Sequence, residues 1–225
     1  MNPCIEEYGW NVPQWPAPAN VHAVITTRSG GVSLPPYDSM NLAAHVGDDE
    51  DSVVENRRHL RHCLQLDCEP LWLTQVHGTR IVDVEQAQQG VEADGSVSTV
   101  AGCACVVMTA DCLPVLMCDA VGTQVAAVHA GWRGLAAGAI EAAVQRFNCP
   151  PDSLLDDAAT VDAFHPHAAG KWLADIYHLA RLRLARMGVT QVYGGDACTY
   201  QEAERYYSFR RDKTTGRMAS LIWFD

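Results

Sequence analysis

Cys112 follows Asp111 in the stretch TADCLPVLMCD, and His129 closes the apolar run TQVAAVHA 17 residues later; His77, in WLTQVHG, stands 35 residues before the cysteine. One thiol and two imidazoles admit three kinds of chemistry. Cys112 can be a small core residue, with the histidines as ordinary hydrogen-bonded side chains. It can be a nucleophile with His129 as its base, giving a hydrolase or transferase that works through a thioester-like intermediate. Or the three can hold zinc, since a Cys-His-His set leaves a fourth position open for water. The spacings match neither Cys-x-x-Cys nor His-Glu-x-x-His, so the residues alone favour the core reading. Asp111 could orient the imidazole of His129, but adjacent side chains on an extended segment point to opposite faces, which weakens that triad.

Anions have their own candidates. SGG at 29–31 and HAGWRG at 129–134 can bring backbone N–H groups toward a phosphate or carboxylate, with Arg28 or Arg133 as a bidentate partner. FRRDKTTGR, residues 209–217, gathers further arginines. Trp132 can stack on a planar ligand. His165-Pro166-His167 has the look of a small metal clamp but lies in a loop rich in Ala, Asp and His, where it reads as solvated.

The elements that must position these residues follow from periodicity. NVHAVITTRSGGVS, residues 20–33, reads as a strand that breaks at Gly30-Gly31. DSVVENRRHLRHCLQL reads as a surface helix, with Ser52 and Glu55 as its capping box. LWLTQVHGTRIVDV holds two short β-like runs around His77-Gly78, and CACVVMT, LPVLMCD and TQVAAVHA are three consecutive strands, apolar on both faces and therefore central, with Cys112 in the first turn. GWRGLAAGAIEAAVQRF switches to helical spacing, with Leu135, Ile140, Ala143, Val144 and Phe147 facing inward. KWLADIYHLARLRLARMG reads as a second long helix with the stripe Trp172, Ile176, Leu179, Arg183, Met187; VTQVYGG and MASLIWF read as closing strands. Hairpins mixed with crossovers imply an α+β domain built on a mixed sheet.

The chain has 225 residues, no linker and no repeat of fixed period, so one domain over 1–225 is expected, with 1–18 as an irregular lead-in. A net charge of -11 works against a nucleic-acid partner. The sequence shows neither an export signal nor an uncharged stretch long enough for a bilayer, so a soluble cytoplasmic protein with no membrane partner is expected. On the same grounds the nine cysteines, an odd number, are expected to be reduced.

TTRSGGVS, PPYDSMNLAAHVGDD, WLTQVHG, EADG, TADCLPVLMCD, AAVHAGWRG and CTY…YYSFRRDKTTGRMASLIW occur in one order from about Pro13 to the C-terminus. Together they resemble the family known both as multicopper polyphenol oxidoreductase (laccase) and as purine nucleoside phosphorylase and adenosine deaminase. The resemblance implies that His77, Cys112 and His129 bind zinc at the active site. It also implies a cysteine-hydrolase-like fold, shared with a bacterial deamidating toxin domain. The implied reactions are phosphorolysis of adenosine, inosine, guanosine and methylthioadenosine, and deamination of adenosine. A zinc-activated water could attack C6 of adenine. Phosphate held by Arg28, with Arg133, Arg210 and Arg211 as further candidates, could attack C1′ of the ribose while the leaving purine takes a proton. Asp94, Asp111 and His45 are the candidates for general acid or base.

Two points of the resemblance need comment. Between QRFNCPPDSLL and DDAATVDAFHPHAAGKWLADIY the family carries a Gly/Pro-rich segment of the type GPxIGPxxFEVG, which this sequence lacks; residues 148–170 read as a variable, shortened loop. True laccases need about ten histidines, largely in His-x-His pairs, whereas this chain has nine histidines and one such pair. Copper could occupy the His-Cys-His site in vitro and give weak phenol oxidation. The alternative to the zinc enzyme is a cysteine amidase or deamidase, with cell-wall precursors as one substrate class.

Overall fold

Strands β1 (Val21–Ile25), β9 (Met218–Phe224) and β4 (Cys105–Thr109) form one antiparallel sheet in the order β1-β9-β4. The computed structural model in which they are seen describes residues 3–147, 162–167 and 171–225. A second sheet has the order β2-β3-β6-β5, from Ile81–Asp83, Gly95–Ser98, Val125–Ala130 and Leu113–Cys118; β2 and β3 run parallel and the other pairs antiparallel.

The two-residue period of the strands sorts their side chains into layers. Cys105 and Val107 of β4, and Ile222 and Phe224 of β9, meet Val125 and Ala127 of β6 between the sheets. The alternate set, Val106 and Met108 with Leu221 and Trp223, faces helix α2 (Glu50–Leu64) and packs on its Leu60 and Leu64. On the far side, Ala130 of β6 and Leu113 of β5 pack against helices α3 (Trp132–Ala137), α4 (Ala139–Val144) and α5 (Ile176–Arg186). Two helical layers therefore enclose two stacked sheets, an α+β domain of mixed β-structure. Burying Leu60, Leu221 and Ile222 completely contributes roughly 1.5–3 kcal/mol apiece before entropy is counted.

Several expectations change. The cap of α2 is Asp49, whose carboxylate accepts the Ser52 N–H at 2.9 Å, so Ser52 lies inside the helix and Glu55 pairs with Arg58 instead. The three apolar strands divide between sheets: only β6 has a neighbour on each side, while β4 and β5 are edges, buried by stacked layers rather than by flanking strands. Gly138, at φ +100, breaks the helix after residue 131 into α3 and α4, although all five expected inward residues are buried. Trp172 belongs to strand β8 (Lys171–Ala174), paired with β7 (Phe164–His167); Asp175 caps α5, whose buried residues are Ala180 and Leu184. His165 and His167 thus lie on an exposed strand rather than in a loop. VTQVYGG forms no strand. The lead-in, expected to be irregular, opens with helix α1 (Pro3–Glu7), and Cys4 is joined to Cys63 of α2 where reduced thiols were expected. Most of the 148–170 loop falls outside the described residues.

Candidate functional site

Strand direction explains why distant residues converge. The register pairs Leu113 with Ala130, Gly95 with Val128 and Ile81 with Gly95, so the starts of β2, β3 and β5 and the end of β6 share one rim. His77 precedes β2, Asp94 precedes β3, Cys112 precedes β5, and His129 lies near the end of β6. β4 ends and β9 begins at the same rim, which brings Asp111 and Arg217 to it.

Among the described residues, His77, Cys112 and His129 form a group whose ligand atoms all lie within 4.8 Å of one another. The Cys112 Sγ is 3.9 Å from the His77 Nε2, and the two imidazoles meet edge to face with centroids 4.8 Å apart. Tetrahedral bonds of about 2.0–2.3 Å place ligand atoms roughly 3.5 Å apart, so small side-chain movements close this set around an ion. His129 is buried, Cys112 half-buried and His77 exposed, which leaves one side open.

The space between them is kept by a glycine. A Cβ on Gly131 would lie 3.0 Å from both the Cys112 Sγ and the His77 Cδ2, and 3.4 Å from the His129 Cε1. Gly131 has φ -60, which any residue adopts, so glycine is needed here for room rather than for conformation.

Asp94 holds the arrangement from beneath. Completely buried, it accepts the His129 Nδ1–H at 2.8 Å and the backbone N–H groups of Val76, His77 and Gly78 at 3.2, 2.8 and 2.6 Å. These bonds fix the turn at His77, a non-glycine residue at φ +61 that would otherwise be strained. They also leave the His129 Nε2 to face the cluster, as in metal-bound histidines whose other ring nitrogen donates to a carboxylate. Burial pulls the Asp94 carboxyl up, but its bonds to His129 and Gly78 outweigh that and hold it below the usual carboxylate range. Burial likewise pulls His129 down, yet Asp94 and Cys112 push it up to about 9. Desolvation and the His129 charge keep His77 below its ordinary value, with Arg133 and Arg217 adding to the effect.

The other expected residues are distributed unevenly. Asp111, at φ +96, accepts the Thr199 hydroxyl at 2.8 Å and the Arg210 N–H at 2.7 Å, so it ties the rim to the 199–210 segment; Asp94 orients His129 instead. Arg28 spends its guanidinium on Asp38 and the Ala203 carbonyl, and Arg211 on Asp212 and the carbonyls of Thr199, Tyr200 and Tyr206. Arg133 is exposed beside Trp132, its guanidinium 5.0 Å from that ring. His45 is held below its ordinary pKa by desolvation, then by Arg217 and Arg57.

Arg217 is the arginine of FRRDKTTGR that reaches the rim, although Arg210 and Arg211 are the two the sequence singles out. Burial lowers the pKa of Arg217, and the charges of Cys112 and Asp111 partly offset this, so a desolvated cation stands at the rim. Its Nη1 donates to the carbonyls of Thr215 and Gly216, and its guanidinium lies 5.7 Å from the exposed ring of Phe209. The signal available in sequence was an arginine immediately before an apolar strand, the position Cys112 also occupies relative to β5.

The family described as multi-copper polyphenol oxidoreductase laccase matches the chain over residues 22–160 and again over 151–225. A Pseudomonas aeruginosa protein named purine nucleoside phosphorylase PA4543 is 49% identical over 239 residues, covering 95% of this chain and 98% of that one. Purine nucleoside phosphorylase YfiH of Escherichia coli is 50% identical over 237 residues, with 94% and 97% covered. Both alignments are longer than the 225-residue chain, so these relatives carry residues that it lacks. The crystal structure of Neisseria meningitidis protein NMB0706 superposes with a TM-score of 0.88 at 44% identity, covering 96% of this chain and 99% of that one.

Proposed function

Because the chain belongs to the multi-copper polyphenol oxidoreductase laccase family, we propose that it is a zinc-dependent purine nucleoside phosphorylase that also deaminates adenosine, acting in the cytoplasm on a cysteine-hydrolase-like fold. The carrying observation is the His77, Cys112 and His129 cluster, with Asp94 behind it and Gly131 keeping its centre open. The names of the relatives supply the substrate class: a purine nucleoside with phosphate. Adenosine, inosine, guanosine and methylthioadenosine are the proposed substrates.

His77, Cys112 and His129 would hold the ion. The chemistry such an ion supplies when bound is Lewis-acid polarisation of a coordinated oxygen. Around it, the half-buried Arg217 and the exposed Arg133 place positive charge at the rim, where an incoming phosphate is drawn and oriented. Arg28 and Arg211, with their donors engaged, fix loops near the rim. Arg210, whose backbone already fixes Asp111, keeps an exposed side chain as a further contact. Exposed Trp132 and Phe209 offer faces for the purine ring. Asp94 is a positioning residue, since both its oxygens are occupied by donors, and Asp111 is occupied likewise by Thr199 and Arg210; His45, whose depressed pKa leaves it neutral, is suited to accept a proton from the attacking nucleophile rather than to donate one to the leaving purine.

A multicopper centre draws no support from the donor set: among the described residues no second group of three His, Cys, Asp or Glu gathers. Copper at the single site would give at most weak phenol oxidation. One observation favours a second reading: Asp94, His129 and Cys112 are linked in the order acid, imidazole, thiol, the order of a cysteine hydrolase. Incubation with adenosine and phosphate, followed by chromatography, separates the two. Adenine or inosine that appears with the wild type and is lost in Cys112→Ala and on chelation supports the zinc enzyme. Full turnover after chelation, abolished by thiol alkylation, replaces it with the hydrolase.

A further inference from the structure

A second pair of reactive side chains stands away from this site. Cys68 is exposed in the bend after α2, half-buried Cys103 lies just before β4, and Cys68 is close enough to help raise the pKa of the Cys103 thiol. They occupy the base of two chain segments that run side by side. Leu71 bridges Cys105 in parallel, and the Gln75 side chain exchanges two hydrogen bonds with the Met108 backbone, at 2.7 and 2.8 Å. His77 is nine residues past Cys68, and Cys112 is nine residues past Cys103. The segments therefore form a short ladder, with a thiol pair at one end and two residues of the candidate metal cluster, 3.9 Å apart, at the other.

We propose that Cys68 and Cys103 are a reversible dithiol–disulfide pair, a modification site for small-molecule disulfides, whose closure clamps together the two segments that present His77 and Cys112. The exposed Cys68 thiolate attacks one sulfur of a disulfide RSSR, forming a mixed disulfide and releasing RS⁻, which takes up the proton that Cys68 gave up. The Cys103 thiol then loses its proton as its sulfur attacks the Cys68 sulfur, and the second RS⁻ leaves as RSH. The net change converts RSSR and two cysteine thiols into one protein disulfide and two RSH; the protein is oxidised and the small disulfide reduced. Burial, the neighbouring Cys68 and Glu85 raise the pKa of Cys103, so its thiol stays protonated and the first attack falls to the exposed Cys68. Cys105 is fully buried, with a thiol pushed up to about 12, and takes no part. The pair is independent of the nucleoside reading, because it stands on the ladder geometry alone.

The test uses the full-length protein with oxidised glutathione, followed by alkylation of the remaining thiols, proteolysis and mass spectrometry. Exposed Cys198 serves as the internal reference for reagent activity, since it can take only a glutathione adduct. The expected result is a Cys68–Cys103 cross-link that dithiothreitol reverses, together with roughly fivefold slower amide exchange over residues 71–77. In Cys68→Ser, a change at an exposed position, the cross-link is absent and exchange over 71–77 stays at the reduced rate. Separate glutathione adducts on Cys68 and Cys103, or alkylation of both while Cys198 is modified, overturns the pair. A cross-link that leaves exchange over 71–77 unchanged overturns the clamp.

Discussion

Replacing Asp94 with asparagine changes one oxygen to an amide nitrogen and removes a charge in a fully buried position. Four N–H donors converge on this carboxylate: those of Val76, His77 and Gly78 and the His129 imidazole. An amide has a single acceptor oxygen, so whichever way the new side chain turns, its NH₂ faces at least one donor, and that donor is left buried without a partner. Each orphaned group costs about 1–3 kcal/mol, and breaking one side of a buried charged pair costs about 3–5 kcal/mol. Because these losses share the same atoms they do not add, and a destabilisation of about 3–5 kcal/mol is expected. With His129 no longer oriented and the turn at His77 loosened, metal affinity should fall roughly 10–100-fold. Urea unfolding of the metal-free protein reads the first quantity and chelator competition the second. Asp83→Asn, which breaks the half-exposed pair with Arg146, is the control and should cost less than about 1 kcal/mol. An Asp94→Asn protein within about 1 kcal/mol of wild type that binds zinc as tightly would refute the reasoning.

Gly131→Ala puts a methyl 3.0 Å from the Cys112 Sγ and the His77 Cδ2 without backbone strain; zinc affinity and turnover should drop together by at least about tenfold while stability shifts by less than about 1 kcal/mol, and unchanged zinc content in the variant would contradict this. The Cys4–Cys63 bond closes a loop with a sequence separation of 59, so on the chain-entropy account Cys4→Ser should lower stability by about 4 kcal/mol; equal guanidinium midpoints for variant and wild type under non-reducing conditions would show otherwise. The pair of Asp94 and His129 sets the pH dependence of metal-free protein. Asp94 is depressed when folded, so its contribution is present above the unfolded value of about 3.9 and lost as acid passes through the folded one. His129 is raised to about 9 when folded, so its contribution is complete below the unfolded value of about 6.5 and is lost as pH rises through about 9. Urea midpoints should therefore decline on both sides of this window, and a flat profile from about pH 6 to about 9.5 would count against the pair.

Much of this was legible in the residues because strands announce themselves by apolar runs, and a functional residue at a run's end lands on the sheet rim. His77, Cys112 and His129 each follow that rule. The partner of His129 was harder to read: Asp111 is next to Cys112 in sequence, whereas Asp94 reaches His129 only through the pairing of Gly95 with Val128. Division of β4, β5 and β6 between two sheets was not visible either, since stacked sheets and flanking strands bury the same apolar residues. Trp172 continued the helical stripe of α5 by coincidence of spacing, and Asp175, a capping residue, marked the true start. Gly131 and Arg217 were not singled out because their roles are spatial, one as a gap among three ligands and the other as a charge brought by a different sheet.

The most direct test of the central claim is elemental analysis of the purified protein alongside adenosine turnover in the same preparation, for wild type and His77→Ala. One zinc per chain with phosphate-dependent release of adenine or formation of inosine, both lost in His77→Ala, is the expected result. Undiminished turnover in protein that holds no zinc would contradict it.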